Sequence, residues 1–395
     1  MSRIRILHVT PYFAPAWAYG GPPRSIYELC LELLRRGHDV SVVTTDALGR
    51  DRRVLLQEED VQGIRTYRFP NLSSRLAWDR QLFLPSGTWR FLKKHRKEFD
   101  LIHLHMYRTL QDILVHRLAA RYGTPYVFAA RGSLLRIVRQ ARTKALFDAL
   151  FGNHLLRDAR RLIALSKTEK GHYESMGVPS DKVSVVFNGI DADRFQNLPA
   201  RGALARELGL EDRQVIAYLG RLNPRKGLDL LLHAFAEVHR RKRDAVLVFA
   251  GPDEGCQRRL ETLAGTLAVK DSVAFIGLVI GEKRLQLLAD ADVIVYPGYH
   301  EVFGMVPFEA LACGKPVIVS DDSGCGEIVR QARAGVTVPF GDHVAWAEAI
   351  VTVLDNGREI REMIGRGREF VQERLNWRSI GDEMETVYRI AAAAN

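Results

Sequence analysis

The sequence has few features of a membrane-spanning or disulfide-stabilised protein. In its 395 residues, no apolar run approaches the roughly 18 residues that a membrane-spanning helix requires. The first residues contain only a short apolar run before Pro11, which is typical of a strand and not of a signal peptide. The four cysteines, Cys30, Cys256, Cys313 and Cys325, are far apart and include no Cys-x-x-Cys pair. We therefore expect a cytoplasmic protein whose cysteines are reduced and buried.

Several common motifs of catalytic and nucleotide-binding sites are also missing. No G-x-G-x-x-G sequence follows the first predicted strand, and neither a G-x-S-x-G nor a phosphate-loop motif occurs. His300-Glu301 lacks the second histidine of a zinc-binding helix. The Asp-x-Asp sequences at 191–193 and 290–292 lie in a linker and at a helix-to-strand junction, so we interpret both as structural. We predict no metal site.

Acidic residues are scarce in the first half of the chain. Residues 1–190 contain 31 Lys and Arg against 17 Asp and Glu, a charge of +14, whereas residues 191–395 contain 26 against 30, a charge of −4. A basic half is typical of proteins that bind nucleic acid, an anionic membrane or a phosphorylated substrate. The basic clusters are 89–97 and a stretch read as helical, 134–161. The latter fits either a helix at an anionic membrane surface or an ordinary solvated helix.

Strand and helix patterns alternate along both halves, which indicates parallel α/β domains. The composition, 47% hydrophobic and 26% charged residues, is ordinary for a globular protein. The predicted strands are 5–10, 40–44, 101–105, 126–130, 162–165, 183–187, 215–219, 245–250, 273–276, 293–297, 317–319 and 335–338. We predict a first domain at 1–190 and a second at 191–375.

Two carboxylates lie just after the predicted strand that ends at Pro297. Glu301 belongs to a loop, while Glu309 belongs to a short helix that runs from Met305 to Cys313. Open α/β sheets bind ligands at the carboxyl ends of their strands. The backbone N–H groups of Phe303, Gly304 and Met305 would lie at the positive end of the helix, suited to a phosphate or a developing negative charge.

A second motif, Gly220-Arg221-Leu-Asn-Pro-Arg-Lys226-Gly227, also follows a strand and precedes a helix. Arg221 would bind phosphate oxygens in a bidentate manner, and Lys226 would add a point charge. Two cations at this place would neutralise a diphosphate whose charge grows as it departs.

Together these motifs resemble the signature of the family 4 retaining glycosyltransferases. The resemblance covers most of the chain and is strongest from Gly220 to Glu327. It implies a GT-B fold, in which two Rossmann-like α/β domains face a central cleft and a C-terminal helix, about 376–395, crosses back to the first domain. It further implies that Glu301 faces the donor sugar and that Glu309 holds the ribose hydroxyls of a nucleotide. Leu278 and Val279 would contact the base through their backbone.

Other candidate substrate-binding residues lie in the first half. Gly20 and Gly21 precede a helix predicted at 25–36, permit close approach of a ligand to the backbone, and leave Ser25 as its N-cap. Many family members carry a histidine near Arg131, so this arginine is a departure that suits a phosphate or an acidic acceptor. His103 and His105 share a strand, and we predict that they point to opposite faces, with His105 the better substrate-binding candidate or else a structural histidine.

We therefore predict a glycosyltransferase that uses a nucleotide-sugar donor, UDP- or GDP-linked, and no cofactor. The acceptor would be a glycan or a lipid-diphosphate-linked glycan of polysaccharide or lipopolysaccharide synthesis, with attachment to the inner face of the plasma membrane. One alternative is a nucleotide-sugar epimerase of the same architecture, which needs no acceptor. A basic nucleic-acid-binding protein is the alternative from another class, but basic and aromatic residues do not interleave clearly.

Overall fold

The computed structural model describes residues 3–135, 141–355 and 357–393. The chain divides into two units, one made of Met1–Gly189 with Trp377–Asn395 and the other of Ile190–Asn376. Each unit is built on one largely or wholly parallel sheet, as the alternation of strand and helix patterns predicts.

The first unit contains an eight-stranded sheet within the residues described. Its strands are β1 (Arg5–Val9), β2 (Asp39–Thr45), β3 (Glu58–Val61), β4 (Ile64–Phe69), β5 (Leu101–His105), β6 (Tyr126–Ala129), β7 (Arg161–Ala164) and β8 (Val183–Val185). Its helices up to this point are α1 (Gly21–Arg35), α2 (Ser74–Arg80), α3 (Thr88–His95), α4 (Leu110–Tyr122), α5 (Ala141–Phe147), α6 (Asn153–Asp158) and α7 (Lys167–Ser175). The strand order is β3-β4-β2-β1-β5-β6-β7-β8. Because the order reverses at β1, a ligand crevice is expected beyond the carboxyl ends of β1 and β5.

The antiparallel hairpin of β3 and β4 was not predicted from the sequence. Its turn is formed by Gln62 and Gly63, which both have positive φ, 54° and 87°. Asp60 accepts a hydrogen bond from the Gly63 N–H at 2.6 Å. The outer strand β3 carries three acidic residues, so its sequence resembles a polar loop more than a strand, although polar residues are common at a sheet edge.

The first helix starts earlier than the sequence indicates. It begins at Gly21, with Pro22 in its first turn, where the missing proline N–H would have had no helical partner. Ser25 lies inside the helix and its hydroxyl donates to the Pro22 carbonyl at 3.1 Å. The prediction that Ser25 caps the helix is therefore wrong.

The second unit is a six-stranded parallel sheet in the order β11-β10-β9-β12-β13-β14. The strands are β9 (Gln214–Leu219), β10 (Ala245–Ala250), β11 (Val273–Gly277), β12 (Val293–Tyr296), β13 (Val317–Ser320) and β14 (Val336–Val338). The helices are α8 (Ala203–Leu208), α9 (Leu228–Arg241), α10 (Gln257–Thr266), α11 (Gly281–Asp290), α12 (Met305–Ala312), α13 (Gly324–Ala332), α14 (His343–Asp355) and α15 (Gly357–Arg374). Its order reverses between β9 and β12, so the loops after these strands flank the expected ligand crevice of this unit.

The last helix, α16 (Trp377–Ala393), belongs to the first unit. Its buried face includes Trp377, Met384 and Tyr388, which join the hydrophobic core formed with β1 and α1. The Trp377 indole donates to the Glu28 carboxylate of α1 at 3.0 Å. The predictions of two α/β domains and of a C-terminal helix that returns to the first domain are confirmed.

The helix predicted at 134–161 is not continuous. Leu134 lies in a turn region and is buried, α5 leads into a π-helical segment at Asp148–Gly152, and β7 begins at Arg161. Residues 136–140, which include part of the proposed membrane-facing surface, lie outside the described residues. All four cysteines are buried free thiols, as predicted. Across the described ranges, no helix combines the length and apolar character needed to cross a membrane.

Candidate active site

The loop after β9 carries the two predicted phosphate-binding cations. Arg221 donates from Nη1 to Glu254 at 2.6 Å, and Asn223 donates to the same carboxylate. Asn223 also accepts from the Arg225 N–H at 3.0 Å and so caps the short 3-10 turn that ends at Lys226. The loop therefore holds Lys226 on an ordered turn directly before α9.

Glu301 meets Lys226 at the carboxyl ends of the neighbouring strands β9 and β12. The Lys226 ammonium and the Glu301 carboxylate form an ion pair. The hydroxyl of Tyr296, the last residue of β12, accepts from Lys226 at 3.2 Å and donates to Glu301 at 3.2 Å. Burial acts to raise the pKa of Glu301, but the charge and hydrogen bond of Lys226, the Arg225 charge and the Tyr296 hydrogen bond together outweigh it, so the pKa lies below its ordinary value. The structure thus brings together two residues that lie 75 positions apart in sequence.

The N-terminus of α12 lies beside this pair. Gly304 is its N-cap, with φ 69°, and Met305 is the first helical residue. A Cβ atom on Gly304 would lie 2.9 Å from the Tyr296 ring, so only glycine fits this conformation and this space. Phe303 points into the core, where its ring packs 4.7 Å from that of Phe308. The positive end of α12 therefore adds a partial positive charge beside the Lys226–Glu301 ion pair.

Glu309 lies on α12 and is almost fully buried, with 4% of its surface exposed. It forms an ion pair with Arg284, which projects from α11. A buried carboxylate requires such a partner to remain charged. Arg284 was not predicted as a site residue, because an arginine in a polar helix stretch is ordinary on a protein surface.

Two further predictions concern the rim of this unit. Leu278 and Val279 follow β11, and Leu278 is 56% exposed whereas Val279 is buried. Asp290 accepts from the backbone N–H groups of Gly202 and Ala205, and Asp292 accepts from that of Val215 at 2.8 Å. These hydrogen bonds anchor one end of α8 and β9, so the Asp-x-Asp sequence at 290–292 is structural, as predicted.

In the first unit, Arg131 connects three elements. Its Nε donates to His105 Nδ1 at 3.1 Å, and its Nη1 donates to Ser25 of α1 and to Asn188, each at 2.9 Å. Burial lowers the pKa of Arg131 to about 10, so it is charged at neutral pH. Arg131, His105 and the start of α1 therefore lie together at the switch point of this sheet.

The predicted glycines mark the beginning of that helix. Gly20 is the N-cap of α1, with φ 97°, and no side chain caps this end within the part of the chain described. Gly21 is the first helical residue. Their place beside Ser25, one turn further along, connects the helix terminus with the Arg131 guanidinium.

His103 and His105 point to the same face of β5, so the prediction of opposite faces is wrong. Residues two apart on a strand share a face, because successive side chains alternate. Their ring centroids are 3.8 Å apart, and His8 of β1 lies beside both, with its Nδ1 2.9 Å from His105 Nε2. All three rings are fully buried.

The arginine fixes the tautomers of two of these rings. Since the guanidinium only donates, His105 Nδ1 accepts, and His105 Nε2 therefore carries a proton that it donates to His8 Nδ1. His8 Nε2 then carries the other proton. His103 Nδ1 is 2.7 Å from the Tyr388 hydroxyl of α16. Burial and the Arg131 charge lower the pKa of His8 to about 3, and the pKa values of His103 and His105 also lie well below normal.

Three histidine nitrogens within 4.8 Å of one another have the donor set of a transition-metal site. The neighbouring guanidinium opposes this role, because its positive charge would repel the metal. In a metal site, the histidine nitrogen that does not bind the metal normally donates its N–H to an acceptor. Here His105 Nδ1 instead accepts a hydrogen bond from Arg131. We therefore interpret the cluster as a neutral hydrogen-bonded network.

Comparison with known proteins identifies the family. The sequence model described as "Glycosyltransferase Family 4" matches residues 19–194, and the one described as "Glycosyl transferases group 1" matches residues 201–370. An uncharacterized glycosyltransferase of Methanocaldococcus jannaschii is 30% identical, over 95% of this chain and 97% of that protein. The chain belongs to the family 4 glycosyltransferases.

Other relatives of this glycosyltransferase extend the comparison. A D-inositol 3-phosphate glycosyltransferase of Saccharomonospora viridis is 32% identical, over 75% of this chain and 71% of the relative. The solved structure of Anabaena HepE in complex with UDP-glucose has a TM-score of 0.79 at 22% identity, covering 98% of this chain and all of that one. This likeness confirms the GT-B fold.

Three contacts of the glycosyltransferase were missed by sequence reasoning: those of Tyr296, Glu254 and Arg284. Tyr296 looked like an ordinary strand residue, although it immediately precedes the Pro297 loop that holds Glu301. Glu254 follows a different strand from Arg221, and only the parallel pairing of β9 with β10 brings them together. Such partners become visible once the strand order is known.

Proposed function

We propose that this family 4 glycosyltransferase is a retaining hexosyltransferase. It moves a sugar from a UDP- or GDP-linked donor to an acceptor that carries phosphate, and it requires no metal ion. The observation that carries the proposal is the contact of Lys226 with Glu301 between the ends of β9 and β12, beside the N-terminus of α12.

The cations support the departure of a nucleoside diphosphate. When the bond between the anomeric carbon and the diphosphate breaks, negative charge accumulates on the phosphate oxygens. Arg221 and Lys226 neutralise this charge, and the N–H groups at the start of α12 add to their effect. Stabilisation by these fixed groups replaces the divalent cation that other sugar transferases use. Arg221 exchanges its contact with Glu254 for one with the diphosphate.

The two carboxylates have positional roles. Glu301 accepts hydrogen bonds from hydroxyls of the donor sugar, and Lys226 and Tyr296 keep it anionic at its partly buried place. Glu309 accepts from the ribose hydroxyls, with Arg284 holding one of its oxygens. The acceptor hydroxyl attacks the same face of the sugar that the diphosphate leaves, and its proton passes to the departing phosphate oxygen. The anomeric configuration is therefore retained.

An anionic acceptor fits the first unit. Residues 1–190 carry a charge of +14, and Arg131 is charged and partly exposed beside the start of α1. The relatives named D-inositol 3-phosphate glycosyltransferases act, by their name, on a phosphorylated cyclitol. A lipid-diphosphate-linked glycan offers the same phosphate chemistry, and it is the acceptor that polysaccharide or lipopolysaccharide synthesis supplies at the inner membrane face.

The surface of α5 and the following π-helical segment supports membrane contact. Leu146 is 59% exposed, Leu150 56% and Phe151 39%. Arg142 and Lys144 lie on the same segment. Exposed apolar side chains next to basic ones suit an anionic bilayer.

The donor is tested by thermal unfolding with UDP-, GDP- and ADP-sugars, with and without EDTA. A ligand at 100 times its Kd stabilises the folded chain by about 2.7 kcal/mol. We expect UDP- or GDP-sugars to raise the unfolding temperature, and EDTA not to remove this shift. In the product, NMR should show the same anomeric configuration, axial or equatorial, as in the donor. An inverted linkage would contradict retention, and conversion of the donor sugar without acceptor would favour an epimerase.

The acceptor is tested with two substrates, a phosphorylated cyclitol and a lipid-diphosphate-linked sugar, each with its dephosphorylated form.

Membrane contact is tested by sedimentation with anionic and neutral liposomes. The double substitution of Leu146 and Leu150 by serine should reduce binding to anionic liposomes. As a matched control, serine at Leu55 and Leu56, which are 92% and 59% exposed elsewhere on the first unit, should not. Equal sedimentation with both lipids would remove the support for a membrane role.

A further inference from the structure

Two tyrosines lie side by side beneath the loops of the candidate donor site. Tyr218 is the penultimate residue of β9, and Tyr296 is the last residue of β12. Their rings are stacked with centroids 6.3 Å apart. The Tyr218 hydroxyl donates to the backbone carbonyl of Arg221 at 3.0 Å. Both tyrosines are buried, Tyr218 with 0% and Tyr296 with 6% of its surface exposed, but their hydroxyls have different partners.

The hydroxyl of Tyr296 binds both members of the ion pair. It accepts from the Lys226 ammonium and donates to the second oxygen of Glu301, each at 3.2 Å, while Lys226 contacts the first oxygen. The ammonium also lies 5.3 Å from the centroid of the Tyr296 ring. Lysine, glutamate and tyrosine thus form a closed ring of three contacts.

We propose that Tyr296 is a positioning residue for glycosyl transfer, which holds the Glu301 carboxylate in place and in its anionic form when Lys226 turns its charge to the departing diphosphate. This inference rests on the proposed role of Glu301 toward the donor sugar. The moment at which it matters follows from the reaction. As negative charge grows on the leaving group, the Lys226 ammonium is drawn toward it and away from Glu301, so the carboxylate loses part of its stabilisation. The hydroxyl of Tyr296 is then the donor that remains with the carboxylate.

The fixed place of the Tyr296 ring supports this role. The residue is 6% exposed, and its ring packs against Gly304, where any Cβ atom would approach it to 2.9 Å. Low exposure and the close backbone of Gly304 leave the ring little room to turn, so its hydroxyl stays directed at the ion pair. Burial, followed by the nearby Glu301 charge, raises the pKa of Tyr296 well above normal, so it keeps its proton and acts as a donor.

The pH dependence of Glu301 involves several neighbours besides Tyr296. The charged and titratable groups around the carboxylate are Lys226, Arg225, Tyr218 and Cys325. Tyr218 and Cys325 remain neutral across the range in which a carboxylate titrates, because burial raises the pKa of both groups. The part of an acidic limb that moves when the Tyr296 hydroxyl is removed is therefore assigned to Glu301.

The test is the rate of transfer with the full chain as a function of pH. Tyr296→Phe should lower kcat by roughly tenfold, the loss expected for one hydrogen bond to a charged group, and should change the donor KM by less than about twofold. The acidic limb should move upward by roughly one pH unit, because Glu301 loses a donor. Tyr218→Phe, with equal loss of a buried hydroxyl on the adjacent strand, should leave the limb in place.

A double substitution separates positioning from a structural effect. If Tyr296 acts through Glu301, then Tyr296→Phe should cost little further activity in a chain that already carries Glu301→Gln. Full additivity, or an acidic limb that does not move, would overturn the inference while leaving the glycosyltransferase activity intact. Absence of transfer from any nucleotide sugar by the unsubstituted chain would instead contradict the proposed function.

Discussion

The buried histidines of the first unit should make its stability fall steeply in mild acid. His8, His103 and His105 are fully buried, and their pKa values lie well below the ordinary 6.5 of histidine, that of His8 at about 3. Burial is the main cause, and the Arg131 charge adds to it. Below pH 6.5 the unfolded chain therefore binds protons that the folded chain does not. This contribution to stability is complete above pH 6.5 and is lost as the pH falls.

The size of the effect follows from proton linkage. Each histidine that stays neutral in the folded state costs about 1.4 kcal/mol of stability per pH unit once the unfolded state is protonated. At pH 5, this is about 2 kcal/mol for one histidine and roughly 6 kcal/mol for three. Two buried carboxyl groups of the same unit, Asp112 and Glu169, have raised pKa values, chiefly through burial, and act in the opposite direction. The pH dependence of the total free energy of unfolding therefore does not isolate the contribution of the histidines.

The comparison of His8→Asn with the unsubstituted protein isolates one proton. An asparagine oxygen can replace His8 Nδ1 as acceptor from His105, so the hydrogen bond is retained while the titrating group is removed. Between pH 6 and 4.5, the free energy of unfolding should fall less steeply for the variant than for the unsubstituted protein. The two slopes should differ by about 1.4 kcal/mol per pH unit. Urea titrations, with hydrogen exchange followed in peptides of β1 and β5, measure the unfolding of this unit.

A surface histidine provides the control. His154 is exposed on α6, in the same unit, and His154→Asn should leave the slope unchanged. If His8→Asn shows the same slope as the unsubstituted chain, then the folded state accepts a proton at this cluster. The interpretation of a neutral network fixed by Arg131 would then be refuted.

Four further predictions concern the second unit. Glu309→Ala should abolish the thermal shift caused by nucleotide sugars, and an unchanged shift would mean that this carboxylate does not hold the ribose. Arg284→Met should weaken the same shift, because Glu309 would lose its ion pair with this arginine. Lys226→Met should lower kcat by about 100-fold, since one preorganised charge on the leaving group is lost, and a kinetic assay showing only a raised KM would contradict this role. Gly304→Ala should destabilise the unit by about 1–3 kcal/mol, because residue 304 has a positive φ and an alanine Cβ would contact the Tyr296 ring. Urea unfolding measures this loss, and an unchanged free energy of unfolding would mean that the loop tolerates the side chain.

The sheets could be predicted because their strands are apolar runs bounded by glycine, proline and polar residues. Val293–Tyr296 and Ala245–Ala250 are examples whose bounds agree with the prediction to within a residue. The β3–β4 hairpin could not be found in this way, since its outer strand is acidic. The start of α1 was missed for another reason. Consecutive prolines suggest a loop, yet they fit the first turn of a helix, because a backbone N–H group there would have no helical partner and its absence costs nothing.

The motif residues stand out in the sequence, whereas the partners that the structure gives them do not. Glu301 and Lys226 stand out by spacing, whereas Tyr296, Glu254 and Arg284 have no local signal. These three lie on elements that only the strand order and helix packing bring near the motifs. The error for His103 and His105 was one of geometry, because the alternation of a strand places such a pair on one face.

The return of α16 to the first unit has a consequence for the order in which the protein acquires its structure during synthesis. Its residues fill the same core as Ile6, Ile26 and Leu33, so that core stays incomplete until α16 has left the ribosome. The second unit, by contrast, is one uninterrupted segment and has all its strands earlier. The unit translated first is therefore finished last, and until then its apolar sheet face is a natural target for chaperones.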